Sequence, residues 1–186
     1  MLISIIGSPS SGKSTLATSL QFDLKRGGFN SIQASEYATD YIAENGIPDS
    51  PMDQMVIFYN QLNREKMYIE SKDYIICDSS SLLNYFYFRN LFPKKLSNKD
   101  ISAINHMQKE VLKSINQWDY IFYLPPMEVD YTQDGIRFHN IEQIKKIDNQ
   151  IRSYLDMENI EYIDLSNIDL NDRTEYIKNI ITKKTI

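Results

Sequence analysis

The chain has 186 residues, enough for one domain with a substantial core and too few for two comfortable ones. With 25 acidic against 20 basic residues the net charge is −5, which makes nucleic acid an unlikely partner, because a strand-binding groove needs a clustered basic face. Cys77 is the only cysteine, excluding an internal disulfide and a thiolate zinc cluster, and no apolar run approaches the ~20 residues of a membrane span; a soluble cytoplasmic protein without a signal peptide is expected.

Leu2-Ile3-Ser4-Ile5-Ile6 is a short β-rich apolar run and predicts a buried strand. From Ser14 to Lys25 the leucines Leu16, Leu20 and Leu24 fall at helical spacing, and Gly27-Gly28 ends that helix. Ser31 to Ala34 reads as a second, weaker strand, followed by a short helix from Glu36 to Asn45. Ser50-Pro51-Met52-Asp53 is a helix opening, with Ser at the N-cap, Pro at the first position and an acid in the first turn. That helix is expected to reach about Ser71, with Met52, Met55, Tyr59, Leu62 and Ile69 along one stripe. Tyr74-Ile75-Ile76-Cys77 is the third strand, ending in Asp78. Helices then follow from about Ser80 to Leu91 and from Ser97, where Ser97-Asn98-Lys99-Asp100 resembles a capping box. The second has a stripe of Ile101, Ile104, Val111, Leu112 and Ile115. Tyr120 to Leu124 is the fourth strand, halted by Pro125-Pro126, and Asp130 to Asn140 reads as a mobile loop. A long helix through Ile141, Ile144, Ile151 and Leu155 precedes a fifth strand at Glu161–Asp164, and Asn171 is expected to cap a last helix with Tyr176, Ile177, Ile180 and Ile181.

Five strands alternating with helices predict right-handed βαβ crossovers and a five-stranded parallel sheet with helices on both faces, a three-layer α/β fold in a single domain spanning 1–186.

Between the first strand and helix, Gly7-Ser8-Pro9-Ser10-Ser11-Gly12-Lys13-Ser14 matches the pattern G-x-x-x-x-G-K-S/T in the strand–loop–helix context that makes it a P-loop. Glycines let successive backbone N–H groups turn inward, and the helix N-terminus adds partial positive charge. Gly7, Ser10, Ser11, Gly12, Lys13, Ser14 and Thr15 are the expected triphosphate-binding residues, Lys13 reaching the β/γ-phosphates and Ser14 helping to hold Mg²⁺. ATP and Mg²⁺ are the cofactors implied.

In such sheets ligands bind beyond the carboxyl ends of the strands. Glu36 follows the second strand and Asp78 the third, so both converge on the P-loop crevice. Asp78 suits a carboxylate that binds Mg²⁺ directly or through water, besides capping the next helix. Glu36 suits a general base or a sugar-binding carboxylate, and which acid is the base stays open. Arg137, in Asp134-Gly135-Ile136-Arg137 after the fourth strand, is placed to swing over the transferring phosphoryl group. Phe58 and Gln61, near the middle of the third helix, could stack on and hydrogen-bond a planar heterocycle, although aromatics at helical spacing usually belong to the core.

This series resembles the ribosylnicotinamide kinase domain of the NadR family, within the broader P-loop kinase-like group. The matching pieces are Gly7–Ser14, Glu36-Tyr37, Gln61, Asp78 and the lid segment Asp134–Arg137, in the same order along nearly the whole chain. The resemblance implies a nucleoside/nucleotide kinase-type P-loop fold with a lid near 130–140. It also implies ATP-dependent phosphorylation of the 5′-hydroxyl of nicotinamide riboside, giving nicotinamide mononucleotide. Lys13, Glu36, Asp78 and Arg137 would then be catalytic, with Glu36, Tyr37, Phe58, Gln61 and Asp78 around a small nucleoside-like acceptor. Two positions depart from the family pattern: Thr39 stands where members usually carry Arg, and Ser80 where many carry a second acid. They keep open a nucleotide-dependent switch without an acceptor, and a deoxynucleoside, nucleotide or polynucleotide 5′-kinase.

Overall fold

The protein is described by a computed structural model covering residues 1–91, 97–127 and 141–183. Its elements run β1 (Leu2–Gly7), α1 (Lys13–Arg26), β2 (Ser31–Ala34), α2 (Tyr37–Asn45), α3 (Pro51–Lys66), β3 (Tyr74–Asp78), α4 (Ser81–Leu91), α5 (Asn98–Ile115), β4 (Tyr120–Leu124), α6 (Ile141–Met157), β5 (Ile163–Asp164) and α7 (Arg173–Thr182). The strands form one sheet in the order β2-β3-β1-β4-β5, with every neighbouring pair parallel. This is the predicted three-layer architecture, with β1 central between β3 and β4.

Alternation along β1 explains the two cores. Ile3 and Ile5 face α1 and α7, packing with Leu16, Leu20, Leu24, Ile177 and Ile181. Ile6 belongs to the opposite layer, where Phe58, Leu62, Leu82, Tyr85, Phe86, Tyr154 and Leu155 meet. β1 and β3 are buried along their whole length, as a parallel sheet covered on both faces requires. Both serine-led helix starts form complete capping boxes, Ser50 with Asp53 and Ser97 with Asp100.

Three boundaries differ from expectation. α3 stops at Lys66 because turn hydrogen bonds, Ile69 N–H to Lys66 C=O and Lys72 N–H to Tyr68 C=O, fold the chain back toward β3. Ile69 is therefore off the core and exposed, as is Met52 at the start of the stripe. β5 is reduced to Ile163–Asp164: it is an edge strand paired only through Phe122↔Ile163 and Tyr123↔Asp164, and the Asp164 carboxylate then accepts from the Ser166 N–H and turns the chain. Asp172, not Asn171, precedes the last helix, since the Asn171 N–H is tied into a turn by Asp169. Among the described residues no helix is long and apolar enough to cross a membrane. Arg137 and the expected lid at 130–140 lie outside the described residues.

Candidate functional site: an anion cradle facing two acids

The first βα turn has the backbone an anion cradle needs. β1 ends in Gly7 at φ 152°, where an added Cβ would stand 2.3 Å from the Leu124 carbonyl oxygen of β4. Only glycine allows the loop to leave the sheet there. Ser10 at φ 61° and Gly12 at φ 86° curl the chain through the left-handed region, and α1 begins at Lys13 with no side-chain cap on its first N–H groups. The helix thus presents open donors and the positive end of its dipole to the loop. The Lys13 ammonium donates to the Ser8 carbonyl at 2.9 Å, and the hydroxyls of Ser8 and Ser11 are buried without a hydrogen-bond partner. Ser14 and Thr15 lie exposed in the first turn of α1.

Across from the cradle, the rigid strand β3 delivers Asp78 at its last position, in register with Ile5 of β1 and only 3 % exposed. Burial raises its pKa, while the Ser14 hydroxyl and the Lys13 charge favour its ionised form. Its Oδ1 has no hydrogen-bond partner. Ser79 follows in the left-handed region at φ 58°, a strained position for a residue with a side chain.

Glu36 forms the N-terminal boundary of α2 and is half-buried. Burial first, and the Asp78 charge second, push its pKa up to about 7, against the pull of Lys13 and the nearby Ser79 hydroxyl. On α4 the Tyr87 phenol is pushed up by burial and by the Glu36 charge, which places that face of α4 beside the same acid. Lys13, Ser14, Glu36, Asp78 and Ser79 therefore form one electrostatic cluster at the carboxyl ends of β1, β2 and β3. Among the described residues, no three His, Cys, Asp or Glu side chains cluster as a preformed metal site.

The raised Glu36 carboxyl has a consequence for stability. A carboxyl whose folded pKa exceeds its unfolded value destabilises the fold as pH rises from about 4.5 through about 7. Discounted for its half-buried position, the penalty is about 1 kcal/mol. Glu36→Gln is expected to melt about 2–4 °C above wild type at pH 8 and level with it at pH 4. Thermal melts at the two pH values check this; equal Tm at pH 8 would place the carboxylate in water.

The other expected site residues are placed differently. Phe58 is fully buried, packed edge-to-face on Tyr59 with ring centroids 5.1 Å apart; it is core, a consequence of α3 facing the sheet, and not a ligand wall. Gln61 is also fully buried, and its Oε1 accepts from the Tyr37 N–H at 2.8 Å, so its acceptor oxygen serves the protein itself. Tyr37 is half-buried with the Arg64 guanidinium 4.7 Å over its ring. Near the cluster lie residues that sequence reading gave no role, Ser79, Asn84 and Tyr87, together with Ser80, which it read only as a departure from the family pattern. Ser80, Asn84 and Tyr87 are spaced to share one helix face, a signal masked by the apolar residues between them.

A parallel sheet with β1 central and a glycine-bounded phosphate cradle at its first turn defines a P-loop protein of kinase-like fold. The chain belongs to the AAA domain family, whose AAA_28 model matches residues 2–173. It is 27% identical over 173 residues to a Methanococcus maripaludis (strain C7) protein named "Putative adenylate kinase", covering 89% of this chain and 94% of that relative. Among solved structures it is similar to NadR protein in complex with NR (TM-score 0.65, 20% identity, 88% of this chain) and to NadR protein in complex with NAD and AMP-PNP (TM-score 0.72, 17% identity, 99% of this chain). The chain spans 45% and 49% of those two proteins, and at these identities the likeness is one of fold.

Proposed function

We propose that this protein is an ATP-dependent small-molecule kinase that phosphorylates a hydroxyl of a nucleoside-like acceptor, with the 5′-hydroxyl of nicotinamide riboside as the leading substrate. One observation carries the reading: two acids with raised pKa, Glu36 and Asp78, meet the cradle lysine in one crevice. A phosphate-binding loop alone serves switches and transporters equally well. A raised carboxyl beside it is well matched to take up a hydroxyl proton near neutral pH.

In this mechanism the cradle N–H groups and Lys13 hold the β- and γ-phosphates in line with the acceptor. The acceptor oxygen forms its bond to the γ-phosphorus as the bond to the β-bridging oxygen breaks. ADP leaves, and the hydroxyl proton passes to Glu36 and then to solvent. The exposed Ser14 hydroxyl and the unpartnered Asp78 Oδ1 are hard oxygen donors that fit Mg²⁺, which would offset charge on the phosphates when bound. Arg137, outside the described residues, is assigned by its position after β4 to the same charge-neutralising role.

The acceptor side favours an uncharged sugar hydroxyl over a phosphorylated acceptor. Among the described residues Lys13 is the cation whose charge reaches both acids, and the Arg64 guanidinium is engaged by Asp40 at 2.5 Å. Ser80 Oγ, just ahead of α4, and Asn84 Nδ2 on α4 are buried and without hydrogen-bond partners, at helical spacing from the Tyr87 that feels the Glu36 charge, and these neutral groups suit hydroxyls and a carboxamide. A second reading, phosphorylation of a nucleoside monophosphate, draws on the relative named an adenylate kinase.

Coupled ADP release with nicotinamide riboside, deoxynucleosides, AMP and no acceptor tests the proposal. Turnover is expected with nicotinamide riboside or another nucleoside. Turnover with AMP alone would move the acceptor to a nucleotide, and ATP hydrolysis indifferent to every acceptor would favour a switch.

A further inference from the structure

The buried polar face of α3 is unused by the phosphate site. Gln61 and Glu65, one helical turn apart, are 0 % and 1 % exposed on a helix whose other buried residues include Ile57, Phe58 and Leu62. An amide and a carboxyl in such a layer cost free energy unless they are hydrogen-bonded. Each is bonded to the first residue of a neighbouring helix. Gln61 Oε1 accepts from the Tyr37 N–H at 2.8 Å; Glu65 Oε1 accepts from the Ser81 N–H at 2.5 Å, and Glu65 Oε2 from the Ser81 hydroxyl at 2.8 Å.

Tyr37 opens α2 directly after Glu36, and Ser81 opens α4 three residues after Asp78. We propose that Gln61 and Glu65 form a crossbar on α3, a pair of positioning residues that fixes the gap between Glu36 and Asp78 by holding the first N–H of α2 and of α4. The inference rests on the kinase reading for its catalytic consequence but not for its geometry. Glu36 does not cap α2 with its own side chain, so Gln61 supplies the acceptor that the helix start lacks. At the other end an anion sits on the positive terminus of α4, just past the strained Ser79. The i, i+4 spacing sets the two anchor points one turn apart on a rigid rod.

The groups facing Glu65 support a pH-sensitive crossbar. Burial raises its pKa to about 7, against the Ser81 N–H and hydroxyl, the Gln61 amide and the Lys66 charge. The buried Cys77 thiol on β3, itself held protonated by burial and by the Glu65 charge, packs on the same side. Below about pH 7 Glu65 gains a proton and loses an acceptor site at Ser81, and the α4 anchor weakens.

Gln61→Met and Glu65→Gln remove one acceptor each while keeping side-chain shape. Both are expected to bind ATP within about twofold of wild type and to lower kcat about 10- to 100-fold with a smaller change in the acceptor KM, since misplacing reacting groups by about 1 Å costs that order. Glu65→Gln should also remove one of the two ionisations near pH 7 from the kcat profile. NMR titration of the Glu36 carboxyl provides a readout independent of turnover: its midpoint should fall below that of wild type as the Asp78 charge moves away, while burial keeps it above the ordinary carboxyl value. Wild-type kcat and an unmoved midpoint in both variants would overturn the crossbar. A shifted midpoint in a protein that phosphorylates no acceptor would leave the crossbar standing and remove the kinase reading. If Gln61→Met does not fold, Glu65→Gln carries the test alone.

Discussion

Lys13→Ala is expected to lower acceptor phosphorylation by about 100- to 1,000-fold while the protein stays folded. The lysine is half-buried, and it extends from the first turn of α1 to the Ser8 carbonyl, so its loss opens no cavity in either core. Its charge, however, acts on three partners at once. It faces the expected position of the β/γ-phosphates, and it lowers the pKa of both Glu36 and Asp78. Without it, the Glu36 pKa moves further above 7 and the rising limb of the pH–rate profile shifts to higher pH. Measured kcat, its pH profile and a thermal melt on the same variant separate these effects. Wild-type turnover by Lys13→Ala would rule out phosphoryl transfer at this cradle.

Gly7→Ala has the largest expected effect on folding. The new Cβ would meet the Leu124 carbonyl oxygen at 2.3 Å, a backbone atom of the adjacent central strand that cannot rotate away. The same residue would have to hold φ 152°, which side chains other than hydrogen rarely adopt. Strain and clash together are expected to cost about 3 kcal/mol or more, lowering Tm by about 6–12 °C. Calorimetry checks the stability and titration with an ATP analogue checks the cradle, and both should suffer. An unchanged Tm would mean that β1 and β4 part more easily at Gly7 than their pairing implies.

The parts of this molecule legible from sequence are those written in neighbouring residues. The cradle, the two serine-led helix starts and Asp78 at the end of an apolar strand each depend on a few consecutive positions. What escaped depends on contacts between elements. Phe58 and Gln61 sit on the same helix and look equally available to a ligand, yet the packing of α3 against α4 and the sheet puts one in the core and the other on the Tyr37 N–H. Glu65 reads as one more charge in Asn63-Arg64-Glu65-Lys66, an ordinary solvated helix end, and its burial follows only from where α4 begins. The short β5 is similar: an edge position, invisible in its own sequence, limits how much of it pairs.

α2 commits no side chain to the interior; Arg64–Asp40, Tyr41–Asp53 and Gln61–Tyr37 tie it to α3 through polar groups. Its outward positions are therefore released from the volume matching that governs the two cores, where a lost methylene is felt. Of the crevice's two walls, the one bearing the cradle has little room for divergence, while the one opened by Glu36 can drift residue by residue. A scaffold divided in this way can keep its anion cradle unchanged while the residues that face it across the crevice are replaced.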